Sequence, residues 1–197
     1  MRFAIGLWAA RLACCFVCGA VPEVEISLAH GAAAEAKTRD QLERLLKTYD
    51  LSDWLWTRKI VIEDGSIPHS HPVLTLNTRH LNDDLLLLST LVHEEYHWYE
   101  TAHSDDTAAA ITEFKAKFPG LPAGGLDGAR DEESSYLHIL VCYAEWQKMK
   151  ALVGPERARQ IMEFWAGDHY RAIYKLVIAN EATVGEVVKI HKLLPPP

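Results

Sequence analysis

Cysteine is scarce in this chain of 197 residues and is concentrated at one end. Three of the four cysteines lie among the first 18 residues, and the fourth is Cys142. If the first segment is removed during export, Cys142 has no partner for an internal disulfide, so the fold must depend on its hydrophobic core or on a metal ion. Glycine and proline are also few, at 11 and 9 residues, which excludes a collagen-like or low-complexity chain.

Positive charge is in deficit, with 20 Lys and Arg against 27 Asp and Glu and a formal net charge of −7. Proteins that bind nucleic acid through its phosphates need a basic surface, so this balance argues against a nucleic-acid partner. Apolar residues make up 49% of the chain, enough for an ordinary hydrophobic core, and we expect one domain over 33–197. Histidine, a common metal ligand and base, is abundant at ten residues.

The chain also lacks a long uninterrupted hydrophobic run. Its first residues combine a positive start at Arg2, an apolar middle and small residues near position 20, and Arg11 interrupts the apolar stretch. This pattern is typical of a secretory signal peptide, and we predict one over 1–21. Because Arg11 leaves no run of ~18 apolar residues, a signal is favoured over a membrane span. We therefore expect a secreted or periplasmic protein, or a cytoplasmic one if the segment is not a signal.

Hydrophobic periodicity predicts an α+β fold that is mostly helical. Two short aliphatic runs, 58–63 and 72–77, are separated by the turn signal Asp64-Gly65-Ser66 and predict a small β-hairpin. The stretch 120–130 holds four glycines and is either an active-site rim or a disordered loop. Helices are predicted over 33–49, from 85 to about 102 and over 106–117, and the second of these is the central helix. A further helix is predicted to begin at Asp131 or Ser134 and to end at about 152, and a C-terminal helical subdomain follows over 156–194.

A chemically specific motif, His-Glu-x-x-His, lies on the predicted central helix at His93, Glu94 and His97. A spacing of four residues places both imidazoles on one helical face, where they can bind the same zinc ion. Glu94 projects beside that face and can accept a proton from metal-bound water. The alternative is a coincidental surface pair of histidines. The apolar run 85–88 before the motif favours the metal site, because it predicts partial desolvation.

These residues resemble the zincin metallopeptidases, which carry a small sheet ahead of the helix that bears this motif. The resemblance implies a zincin-like core in which His93, His97 and a third ligand hold Zn²⁺. It implies that Glu94 acts as general base on the zinc-bound water and then as general acid toward the leaving amine. It also implies that 72–77 is the edge strand that holds a peptide substrate in extended form.

Four residues are candidates for the third metal ligand. In gluzincins a residue on a second helix completes the site, and His138 is favoured here because it and Glu145 are polar positions on an otherwise apolar helical face. The two lie ~10.5 Å apart along the axis, so one can bind metal while the other supports a metal-bound histidine. Glu145 and Glu133 are the alternatives. His103 has the metzincin spacing, but Glu100 occupies the position of that family's glycine, so the helix is expected to continue and turn His103 away.

Zincins often supply a His or Tyr from a later segment to stabilise the oxyanion, and here Tyr174 and His169, with Tyr170 between them, have the required donor chemistry. Packing of an amphipathic helix through the tyrosines explains the same pattern. The sequence thus predicts a zinc-dependent peptidase with a peptide or protein substrate. Two alternatives are a zincin-fold binding protein without turnover, against which the intact Glu94 argues, and a metal-dependent hydrolase of non-peptide amides. The sequence indicates no oligomeric state.

Overall fold

The structure is a computed structural model that describes residues 24–195. It confirms the predicted α+β class with mostly helix. The signal peptide predicted over 1–21 lies outside the described residues. None of the helices within 24–195 is long and apolar enough to cross a membrane. The strands are β1 (Glu25–Leu28), β2 (Lys59–Ile62) and β3 (Leu74–Leu76), and the helices are α1 (Ala33–Thr48), α2 (Asp84–Ala102), α3 (Ser104–Lys117), α4 (Glu132–Val153), α5 (Pro155–Asp168), α6 (Arg171–Ala179) and α7 (Glu181–Ile190).

The predicted β-hairpin is wrong, because β2 and β3 pair in parallel, with Ile60 beside Leu74. The chain does turn back after β2, but the returning segment passes along the outer edge of β3 and then turns again. There the backbones of His69 and Thr75 form an antiparallel bridge with N–H···O distances of 3.1 and 2.8 Å. Two reversals between the strands leave them parallel. β1, which periodicity did not predict, pairs in parallel with the other side of β2.

Strand β3 lies at the edge of the sheet, as the resemblance implied for 72–77. Its outer side is not fully open, because Thr75 forms the bridge to His69. We call the segment 66–71, which contains His69, the edge segment.

Helices α2 and α4 pack against each other within one hydrophobic core. Asp83 caps α2, accepting hydrogen bonds from the N–H groups of Leu85 and Leu86 at 3.2 and 3.1 Å. The leucine-rich first half of α2 is buried, as its nearly all-round apolar sequence predicts. Asp131 caps α4, because its carboxylate accepts a hydrogen bond from the N–H of Ser134 at 2.7 Å. Helices α5, α6 and α7 pack on α4 and share this core, so α2 and α4 meet at the centre of the molecule.

Candidate metal centre

Three histidines from two helices converge in the structure. His93 and His97 lie one turn apart on α2, and His138 approaches them from α4. The ring centroids form a nearly equilateral triangle with sides of 5.2, 5.3 and 5.5 Å. One nitrogen from each ring lies within 4.8 Å of the others. A tetrahedral zinc at ~2.1 Å from each nitrogen needs them ~3.4 Å apart, so a small inward movement of the side chains would close the site.

Each of these imidazoles has its Nδ1 facing a hydrogen-bond acceptor. Nδ1 of His93 donates to Oε2 of Glu145 at 3.0 Å, and Nδ1 of His138 donates to the carbonyl of Ser134 at 2.6 Å. Nδ1 of His97 lies 3.4 Å from Oε1 of Glu100. A carbonyl or carboxylate cannot donate, so the proton belongs on Nδ1 and the lone pair of Nε2 is free for a metal.

Burial favours the neutral form of two of these rings. The pKa of His93 and that of His138 lie well below the usual range, first because both rings are buried and further because the neighbouring histidines repel a second positive charge. Neutral imidazole is the form that ligates a metal.

Glu145 supports His93 from inside the core. Its carboxylate accepts hydrogen bonds from His93, from the hydroxyl of Tyr174 at 2.8 Å and from the hydroxyl of Ser89. Nε1 of Trp165 donates in turn to Ser89 at 2.9 Å. Burial raises the pKa of Glu145 to about 7, and the hydrogen bonds from Ser89 and Tyr174 oppose that rise. With these donors around it, Glu145 is placed to orient His93 rather than to bind the metal itself.

The other candidate ligands lie elsewhere. Glu133 is at the exposed start of α4 and pairs with Lys115 at 2.5 Å. The chain stays helical through Ala102, as expected, and His103 stacks on Tyr99 with 4.1 Å between ring centroids while its Nδ1 bonds the Tyr99 carbonyl. Neither Glu133 nor His103 belongs to a group of potential ligands in the described part of the chain.

A second group of potential ligands, formed by His93, Cys142 and Glu145, is also buried. It suits a metal less well than the three histidines. Burial raises the pKa of the Cys142 thiol well above its ordinary value, so it stays protonated. The Nδ1 of His93 is also already committed to Glu145. The three-histidine group is therefore the better candidate.

Glu94 faces the same cleft as the histidines and is 8% exposed. Burial raises its pKa to about 7, while positive charge on His97 and His69 would lower it. A divalent cation bound next to it would also favour the ionised form. The carboxylate is thus placed beside the histidine cluster and within reach of solvent, as a general base requires.

The cleft above these residues has a volume of about 720 Å³. The edge segment lines part of it, and Leu126 and Arg130 of the glycine-rich stretch line another part. This stretch is therefore a rim of the cleft, one of the two interpretations left open by its composition. Gly128 has a structural use here, because a Cβ at this position would lie 2.1 Å from the Pro122 carbonyl oxygen.

Of the predicted oxyanion donors, Tyr174 is 1% exposed and its hydroxyl is bound to Glu145 behind His93. His169 lines the cleft, and its Nδ1 donates to Asp168 at 2.9 Å. Asp168 also accepts two hydrogen bonds from Arg79. That arrangement leaves Nε2 of His169 free for a ligand.

Tyr170 is better placed than Tyr174, which the sequence had favoured. Its ring lies 4.3 Å from that of His138 and lines the cleft, and burial raises the pKa of its phenol to about 12, so it remains a hydrogen-bond donor. The residue adopts a left-handed backbone conformation, with φ of 49°, just before α6. No periodicity in the sequence reveals such a break in direction, because a left-handed residue that is not glycine leaves no hydrophobic pattern.

Comparisons with protein-family models, with curated proteins and with solved structures found no match for this chain. The functional argument therefore depends on the geometry of the cleft and its side chains.

Proposed function

We propose that this protein is a zinc-dependent peptidase of the zincin type. The observation that carries the proposal is the convergence of three histidines whose Nδ1 atoms all face acceptors, next to Glu94 at the floor of an open cleft. Three neutral imidazoles suit zinc and leave a fourth tetrahedral position for water or substrate, which is the ligand count of catalytic zinc sites.

His93, His97 and His138 would hold the metal, which when bound supplies a Lewis acid that polarises the scissile carbonyl and acidifies water. The carboxylate of Glu94 accepts a proton from the attacking water and delivers it to the nitrogen of the leaving amine. Glu145 keeps His93 in the tautomer and orientation that ligation needs.

Two side chains are available for the oxyanion that develops on the carbonyl. The phenol of Tyr170 is a neutral donor next to His138, and His169 is held by Asp168 with its other nitrogen free. Donors that are already oriented stabilise such charge without reorganisation.

The proposal is tested by zinc content and peptide cleavage of the protein and of Glu94→Gln. We expect one zinc per chain in both proteins, because Glu94 is not a ligand. We expect cleavage to fall by ~100- to 10⁴-fold in the variant, because an amide cannot accept the proton and general-base catalysis contributes a factor of that size.

Elemental analysis and a library of internally quenched peptides supply the two measurements. A protein that binds no zinc would contradict the proposed metal centre. Zinc binding without cleavage of any peptide by the wild type would contradict the peptidase and favour a metal-bound binding protein.

A further inference from the structure

Two bulky apolar side chains stand exposed where they line the cleft. Ile67, on the edge segment, has 83% of its surface exposed, and Leu126, on the glycine-rich rim, has 54% exposed. They come from separate segments of the chain and line the same cleft. Covering such side chains removes apolar surface from water and is favourable, so a ligand that covers them gains affinity.

Both side chains are presented by backbone that is held in place. The carbonyl of Ile67 accepts a hydrogen bond from Nδ1 of His69 at 2.9 Å, and the preceding carbonyl accepts one from Asn77 at 2.8 Å. The carbonyl of Leu126 accepts from the N–H of Arg171 at 3.0 Å, next to Tyr170. Their exposure is therefore a feature of an ordered cleft, and a ligand meets it without first ordering the chain.

Apart from Glu94, which the proposed reaction uses as general base, the acidic and basic side chains that line the cleft already have partners. Arg79 and Asp168 form an ion pair through two hydrogen bonds. Arg130 donates through Nε to Asp131 at 3.0 Å, and Glu145 is buried among its own donors. A charged substrate side chain would have to compete with these contacts, whereas an apolar one meets Ile67 and Leu126.

We infer that the cleft selects peptides with bulky apolar side chains next to the scissile bond, and that Ile67 and Leu126 are the residues that contact them. This inference rests on the proposed peptidase function, and it names the substrate class of that site. Pocket contacts of this kind discriminate between substrates by ~10-fold or more.

The test measures binding without turnover. Two fluorescent peptides of equal length, one with Leu-Phe and one with Ser-Asn at the centre, are titrated against zinc-loaded Glu94→Gln. Fluorescence anisotropy should show at least ~10-fold tighter binding of the Leu-Phe peptide. Adding Ile67→Ser or Leu126→Ser should remove most of that preference. Ile190→Ser is the matched control, because Ile190 is also exposed, at 65%, but lies at the end of α7 outside the cleft lining.

Cleavage of the same two peptides by the wild type distinguishes failure of the peptidase proposal from failure of the proposed selectivity. If Glu94→Gln prefers the Leu-Phe peptide and the wild type cleaves neither this pair nor any peptide of the library, the peptidase proposal fails and the selectivity stands. If the wild type cleaves both peptides equally and Ile67→Ser binds like its parent, the selectivity is overturned and the peptidase stands. Equal effects of Ile67→Ser and Ile190→Ser on the preference for the Leu-Phe peptide would also overturn the proposed selectivity.

Discussion

His138 shows how one local hydrogen bond fixes the orientation of an imidazole ring. Its Nδ1 is bound to the Ser134 carbonyl one turn earlier on α4, so its Nε2 is directed toward His93 and His97. His103 uses its Nδ1 in the same way, on the carbonyl of Tyr99, yet lies outside the cluster. The local hydrogen bond is therefore the same in both, and only the position in the fold differs.

This pair gives a prediction at the residue scale. His138→Ala should lower zinc affinity by more than ~100-fold, because loss of a ligand costs more than loss of a supporting hydrogen bond, which costs ~10- to 100-fold. His103→Ala should leave zinc affinity unchanged. Competition with a chromophoric chelator measures both constants. Equal zinc affinity in the two variants would remove His138 from the site.

At the scale of elements, Glu35 joins the start of α1 to the sheet. Its buried carboxylate accepts the N–H groups of His30, Ala32 and Asp64 at 3.0, 3.1 and 3.1 Å, and also bonds the His30 ring. Burial by itself raises the pKa of Glu35, but these hydrogen bonds outweigh it and lower the value to about 2. The ionised form thus ties α1 both to the end of β1 and to the turn after β2.

A carboxyl whose pKa is lower in the folded chain than in the unfolded one contributes stability above the unfolded value of 4.5 and loses it as the pH falls toward about 2. Urea midpoints between pH 5 and pH 2 should therefore fall more steeply for the wild type than for Glu35→Gln, whose amide does not titrate. Glu43→Gln, at a half-buried position of α1 outside this hydrogen-bond network, is the control. Parallel pH profiles for the wild type and Glu35→Gln would show that this carboxylate does not stabilise the junction.

At the scale of the whole molecule, the proposed metal would join α2 to α4, the two helices at the centre of the core. Within 24–195 the single cysteine, Cys142, is free and buried, so no disulfide strengthens this part of the chain. Bound metal would then connect α2 and α4, the helices that carry the candidate ligands, by coordinate bonds.

Removing zinc should therefore lower thermal stability. A ligand present at a thousandfold excess over its Kd stabilises the folded state by ~4 kcal/mol. For a chain of this size that corresponds to a rise in Tm of roughly 10 °C. Calorimetry with and without a chelator measures the shift, and His93→Ala, which lacks a ligand, should show none. An unchanged Tm in the wild type would argue against metal between α2 and α4.

Some features follow from local sequence alone. The spacing of His93 and His97 determined that both lie on one face, because the helical repeat is a local property. The apolar run that begins at Leu85 likewise predicted where α2 begins and that its first half is buried. The chemistry of the motif, and with it the hypothesis of a zinc site, needed no tertiary information.

Other features depend on contacts between distant parts of the chain. Both His138 and Glu145 are polar positions on one face of α4, and only the packing of α4 on α2 decided that His138 joins the ring cluster while Glu145 bonds Nδ1 of His93. Strands β2 and β3 were located from the sequence and β1 was not, and the parallel direction of β2 and β3 depended on a second reversal at the edge segment. Strand pairing and helix packing are set by the whole core, so a local pattern finds the elements but cannot say which side chains meet.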